Sequence, residues 1–451
     1  MSYTEQNYLD FKKNILDVHS PTMCAAKWMD ATIWLYSGLT ASCHHPPNHA
    51  ISQEEIAINP AALHNTQIKK NVRLQMQKGE RPSECEYCWK IEDLSSTSIS
   101  DRVYHSLGSS YADVEKFKNQ DYKTNYNPKR LELAFDRTCQ FACAYCNPSY
   151  SSSWVKDIQT NGPYVNLKTD RSAHYESTHA NSDPFFGQQS NPYIEAFWKW
   201  WPELKGSLRR LRITGGEPLL SPHFWNLIDR IKADGVGHIR MAVNTNLGSS
   251  ETVVNKLIEA THFFEAFEIY TSCEAFGQSA EYIRDGLNFD LWKKNFLNLK
   301  KNGRLQRMTI MMTINGLCLF SITDFLDLMM TWKKEFGARF PVISLNIVRW
   351  PTFHSPLVLP QHLKDKVVVK LKKWLVENEI NPLLNSYEKG HCLRLIQYLE
   401  AHQEATAGAA SREELEKDLK RFMIQYDQRR QKNFRSVFDE DVVKWIDSIE
   451  E

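Results

Sequence analysis

Six short apolar runs restrict what this chain can fold into more than any other feature: LELAF at 131–135, LRRLRIT at 208–214, IRMAV at 239–243, FEIYT at 267–271, RMTIMMTI at 307–314 and VISLNIV at 342–348. Stretches of helical periodicity separate them, among them SPHFWNLIDRIKADG and DLWKKNFLNLKKNG. Strands that alternate with helices pair in parallel beneath a helical layer. The expected fold is α/β, an open or partial (β/α)6 barrel over residues 119–354. In such sheets the chemistry collects in the loops at the carboxyl ends of the strands.

The flanks read differently. Residues 1–118 form a small cysteine-rich module of irregular composition, with a helix expected at 5–18 and a strand around IWLY, Ser37 and Gly38 being its turn. Asn119 to Lys129 is polar and reads as a linker. Between the first two apolar runs, residues 157–189 are rich in Ser, Thr, Asn and His and read as a lid or a disordered insertion. The helix NPYIEAFWKWWPEL follows, with Phe197, Trp198, Trp200 and Trp201 assigned to packing. Residues 355–451 are expected to be helical, in segments such as HCLRLIQYLEAHQEA and REELEKDLKRFMIQYDQRRQ, with alternating charge on solvated faces.

Charge sets further limits. With 55 Lys+Arg against 54 Asp+Glu the net charge is +1, so neither a nucleic-acid partner nor a membrane surface is expected. No stretch approaches the roughly 20 apolar residues of a membrane span, and MSYTEQNYLDFKKNILDVHS lacks the apolar segment of a secretory signal. The expected location is the cytoplasm, where closely spaced thiols are metal ligands or catalytic groups rather than disulfides.

Cys139, Cys143 and Cys146 follow the first apolar run in the pattern C-x3-C-x2-C. Thiolates are soft ligands suited to zinc, copper(I) or iron–sulfur clusters. A structural zinc or an ordinary four-thiolate cluster calls for a fourth nearby ligand, yet the next cysteine downstream is Cys273. Three thiolates on a cubane leave one iron open to another ligand.

This segment resembles the radical S-adenosylmethionine (SAM) superfamily, whose motif places an aromatic residue before the last cysteine, matched here by Tyr145. The resemblance implies a [4Fe-4S] cluster on Cys139, Cys143 and Cys146 whose open iron is chelated by SAM. It implies reductive cleavage of SAM to a 5′-deoxyadenosyl radical that abstracts hydrogen from a substrate, with electrons from a reductant such as flavodoxin or ferredoxin. Gly215, Gly216, Glu217 and Pro218 look like the family's GGEP motif, which holds the SAM amino group. By the same resemblance Asn244 and Asn246, and Ser272 and Glu274, face the SAM ribose and carboxylate from two strand ends, and Arg284 pairs with the carboxylate.

Cys24, Cys43, Cys85 and Cys88 supply four more thiols, enough to close one tetrahedral metal or [4Fe-4S] site. Zinc is the alternative occupant, and His44 and His45 leave room for mixed ligands. CEYCWKIED with Ser100 and Arg102 looks like the auxiliary-cluster "twitch" module of some radical SAM proteins. The resemblance implies an enzyme that modifies a peptide by epimerisation, crosslinking or oxidation; the alternative is the same chemistry on a small molecule such as a sugar, nucleoside or metabolite. A zinc-stabilised binding protein without activity is the third reading. Cys392 is a candidate hydrogen donor for an epimerisation.

Overall fold

The computed structural model of the protein describes residues 5–401 and 410–450, so the end of the helix expected in HCLRLIQYLEAHQEA lies outside the described residues. Eleven strands are present among them: β1 (Asp30–Trp34), β2 (Leu39–Ala41), β3 (His49–Ala50), β4 (Arg130–Ala134), β5 (Ala142–Cys143), β6 (Arg210–Thr214), β7 (Arg240–Thr245), β8 (Phe267–Ser272), β9 (Arg284–Asp285), β10 (Arg307–Ile314) and β11 (Val342–Ile347). All six apolar runs are strands, β4, β6, β7, β8, β10 and β11. The fold is α/β with a mostly parallel sheet.

The chain forms two compact units, one of residues up to Asp136 with Asp183–Ile213, the other of Arg137–Ser182 with Thr214 onward. In the first, the strand order is β6-β4-β1-β2-β3. β1 and β4 run parallel, Asp30 opposite Arg130 and Trp34 opposite Ala134, while β2 and β3 return antiparallel. β1 and β6 alternate buried and half-buried residues, the period of a sheet with one face on the core. That core receives the helix Pro192–Leu204, started by Asn191, whose Oδ1 accepts from the N–H groups of Tyr193 and Ile194. Phe197, Trp200 and Trp201 are buried, and Phe197 meets Phe135 edge-on at 5.6 Å. The strand expected at IWLY spans Asp30–Trp34, leaving Leu35 and Tyr36 outside it, because β4 pairs with it over those five residues.

In the second unit β11, β10, β8 and β7 lie side by side, all parallel. β10 is the longest strand at eight residues, with Met308, Ile310, Met312 and Ile314 buried. Trp332 of the helix Ile322–Phe336 stacks on Phe296 of the helix Phe289–Asn302 at 4.6 Å. The backbone of β11 is closed by the helix Ser386–Glu400. Ile343 N donates to Glu388 Oε1 and Leu345 N to His391 Nδ1, so its amides are satisfied by side chains. Among the described residues no helix is long and apolar enough to cross a membrane.

Candidate functional site: two thiol centres

The three cysteines of the C-x3-C-x2-C loop line one cavity of about 210 Å³ in the second unit. Sharing its wall are Tyr145, Gly215, Gly216, Asn244, Asn246, Ser272 and Arg284, drawn from the cysteine loop, the carboxyl ends of β6, β7 and β8, and the short β9. The loop is shaped by a two-residue antiparallel ladder, β5 with β9, that sets Arg284 opposite Cys143. Arg284 Nη1 consequently lies 3.7 Å from Cys143 Sγ, and Asn246 Nδ2 3.8 Å from Cys139 Sγ.

From outside, the loop is held by its own carbonyls. Ser151 Oγ donates to Phe141 O, Tyr426 OH to Ala142 O, Trp154 Nε1 to Cys143 O and Tyr175 OH to Ala144 O, so four consecutive acceptors are capped by buried donors. Tyr175 belongs to the polar stretch after the helix Ser152–Asn161, and Tyr426 to the helix Arg412–Arg430. The sequence assigns the alternating charge of that helix to a solvated face. Its apolar stripe is buried, Phe422 against Tyr175 and Tyr426 against Trp154, and seals the back of the cysteine loop.

The glycines serve close approach. Gly215 takes φ +118°, open to glycine, and a Cβ on Gly216 would stand 2.3 Å from Thr138 O. Glu217 does not face the cavity: its Oε1 accepts from Thr245 Oγ1 at 2.7 Å and its Oε2 from Asn246 N at 2.6 Å, tying the GGEP turn to β7. Burial pushes its carboxyl up to about 7. Glu274 is likewise turned away, fully buried and bonded through Oε2 to Arg284 Nε at 3.0 Å and Nη2 at 2.7 Å, with Tyr145 OH donating to it. Arg284 thus already holds a carboxylate partner, which leaves Nη1 toward the thiol. Pro218 opens the turn Pro218–Leu220 and is buried. Thr313, at the carboxyl end of β10, lines the cavity and was missed; the strand-end logic applied to Asn244 and Ser272 identifies it too.

Cys392 is not brought to this site. It lies in the helix Ser386–Glu400, 1% exposed, among residues that pack on β11, so its place is that of a core residue. Cys273 and Cys318 are also fully buried.

Cys24, Cys43, Cys85 and Cys88 converge on a second, smaller cavity within the first unit. Cys24 precedes the helix Ala26–Met29, Cys43 follows β2, Cys85 closes a single turn and Cys88 sits in the helix Glu86–Glu92. Around them Arg102 donates to both oxygens of Glu92 at 2.9 and 2.7 Å and to Met23 O, and Ser100 Oγ donates to Glu92. Trp89 Nε1 donates to Pro82 O, with Arg102 over its ring at 5.7 Å. The motif residues Trp89, Glu92, Ser100 and Arg102 therefore form one bracket behind the thiols. Burial pushes Cys43 up to about 11 and Cys85 to about 12, Lys27 acting against it. Burial opposes the charge of Lys27 as well, but Cys85 and Glu84 hold its pKa above the usual value.

Three thiols lining one cavity from a short loop, with cationic and amide donors 3.7 and 3.8 Å from two of them, fit a [4Fe-4S] cluster held by three cysteines. Residues 135–329 match the family model of the Radical SAM superfamily. This stretch is similar to a radical SAM domain, a match that supports an enzyme. No curated protein matches the chain. Among solved structures it is similar to anSMEcpe with bound AdoMet, at 15% identity over 56% of this chain and 60% of that one, TM-score 0.36. Streptococcus suis SuiB bound to precursor peptide SuiA is another, at 12% identity over 78% and 70%, TM-score 0.34. A third is TYW1 with a lysine-pyruvate adduct bound, at 16% identity over 52% and 70%, TM-score 0.26. The chain spans about 60% of the length of the anSMEcpe structure.

Proposed function

We propose that this enzyme modifies a peptide by SAM-derived radical chemistry and carries a second iron–sulfur cluster in its first unit. The observation that carries the proposal is the convergence of Cys139, Cys143 and Cys146 with strand-end polar groups on one cavity. When bound, the cluster with SAM supplies a 5′-deoxyadenosyl radical that takes hydrogen from the substrate. The three thiolates hold the cluster, and Arg284 Nη1 places a positive charge beside Cys143, favouring its thiolate. Gly215 and Gly216 keep the turn flat enough for SAM to approach its backbone, while Asn244, Asn246, Ser272 and Thr313 offer neutral hydrogen bonds to SAM's polar groups. Reading the strands as a partial barrel places these ends around one mouth.

The convergence of four thiols on one cavity, with Trp89, Glu92, Ser100 and Arg102 behind them, supports a cluster there, with zinc the alternative occupant. We read residues 1–118 as a twitch-like module on this basis, 119–354 as the barrel and 355–451 as supporting helices. For the substrate, a cleft of about 760 Å³ lined by Asp30, Glu132, Arg130, Arg210 and Arg212 favours a polar, extended molecule such as a peptide.

Anaerobic reconstitution with SAM and dithionite tests the reading: about eight irons per chain and 5′-deoxyadenosine formation are expected. Cys143→Ala should abolish cleavage and leave about four irons, and Cys85→Ala should also leave about four while SAM cleavage persists. A wild type with about four irons removes the second cluster. Deuterium transfer into 5′-deoxyadenosine from labelled peptide, against labelled small molecules, decides the substrate class.

A further inference from the structure

The loop after β2 brings two imidazoles to one carboxylate of the first unit. Asp101 Oδ2 lies 2.5 Å from His45 Nε2 and 3.5 Å from His44 Nε2, and the three donor atoms all fall within 4.8 Å of one another. Each is fixed from behind. His45 stacks on Tyr87 with centroids 3.8 Å apart and planes 15° from parallel. His44 tilts against His45 at 4.1 Å and faces His105 at 5.5 Å. Asp101 begins the helix Asp101–Ser106, so its backbone is set by that turn. His105, from the same helix, is oriented by Asp30 Oδ2 at 3.6 Å, and Asp30 is in turn held by Arg130.

We propose that His44, His45 and Asp101 bind a divalent transition-metal ion, zinc or ferrous iron, whose remaining coordination positions open to the charged cleft. Two imidazoles and one carboxylate grip such an ion on one face and leave the other faces for a ligand. Metal–ligand distances of about 2.0–2.2 Å put donor atoms roughly 3 Å apart, so an ion draws His44 inward and parts His45 from Asp101 by about half an ångström each. Side-chain rotation covers such shifts. The access route is present, since His44 is 66% exposed and lines the cleft with His105, Arg130, Arg210 and Arg212. None of the three donors is a thiol, but His45 and Asp101 also line the cavity of Cys24, Cys43, Cys85 and Cys88, so the ion would sit beside that centre and the readout must tell the two apart.

The anaerobic holoprotein, with its clusters oxidised to the EPR-silent state, is titrated with Co²⁺ and followed by low-temperature EPR and visible absorption. The expected result is about one high-spin, nitrogen- and oxygen-ligated Co²⁺ per chain, with iron content unchanged. His44→Ala, at an exposed position, and Asp101→Asn, which keeps the side chain's shape, should each weaken cobalt binding at least about tenfold while retaining full iron. Failure to bind, equal binding in both variants, or thiolate-to-cobalt charge transfer with loss of iron would overturn the proposal.

Discussion

Gly216 shows how little freedom the site leaves at single positions. The backbone of Arg137 and Thr138 crosses directly over it, and a methyl group there would force the cysteine loop away. Gly216→Ala should destabilise the protein by about 1–3 kcal/mol, read from denaturant midpoints, and weaken SAM binding measured calorimetrically. Glu274 makes the opposite point, because its importance lies in a charge it neutralises. Glu274→Gln leaves the Arg284 guanidinium buried beside an uncharged amide and should cost about 3–5 kcal/mol in the same assay, with a smaller loss when Arg284→Met is added. The thiols and glycines were legible in the sequence because their spacing is local. The destinations of the Glu217 and Glu274 carboxylates were not, since Thr245 and Arg284 decide them from other strands.

Among the elements, the six strands could be read because runs such as RMTIMMTI are dominated by apolar and β-branched residues that need covering. The helix Arg412–Arg430 was harder to read. Its charges hide a stripe of Leu415, Leu419, Phe422 and Tyr426, spaced as one buried face, and nothing local says what that face meets. Asp418, also buried, accepts from Lys168 N, Thr169 N and Thr169 Oγ1, fixing the segment that carries Tyr175. Tyr426→Phe removes the hydroxyl bonds to Ala142 O and Tyr282 O. The expected cost is about 0.5–1.5 kcal/mol of stability, together with faster loss of iron to a chelator followed by absorbance.

At the scale of the molecule, the first unit contains a polar knot that links its stability to pH. His64 and Lys69 are buried beside Arg73, and burial holds both pKa values well below their usual positions. For His64 the folded value is the lower one, so the unfolded chain takes up the proton first. Its stabilising contribution is complete above about pH 6.5 and declines as pH falls below that. Lys69 acts in the same sense, stability rising with pH toward about 10.5. Urea midpoints should therefore fall between about pH 8 and about pH 5 in the wild type and fall less in His64→Gln. The composition gave no hint of this knot, whose members are ordinary polar residues until the fold gathers them.

The carbonyl clamp on the cysteine loop has a consequence for how the protein is made. The tyrosine that caps the Ala142 oxygen is translated 284 residues after it. The nascent chain thus exposes its three thiols long before the fold can immobilise them, and the loop is capped only once the helix Arg412–Arg430 has been made.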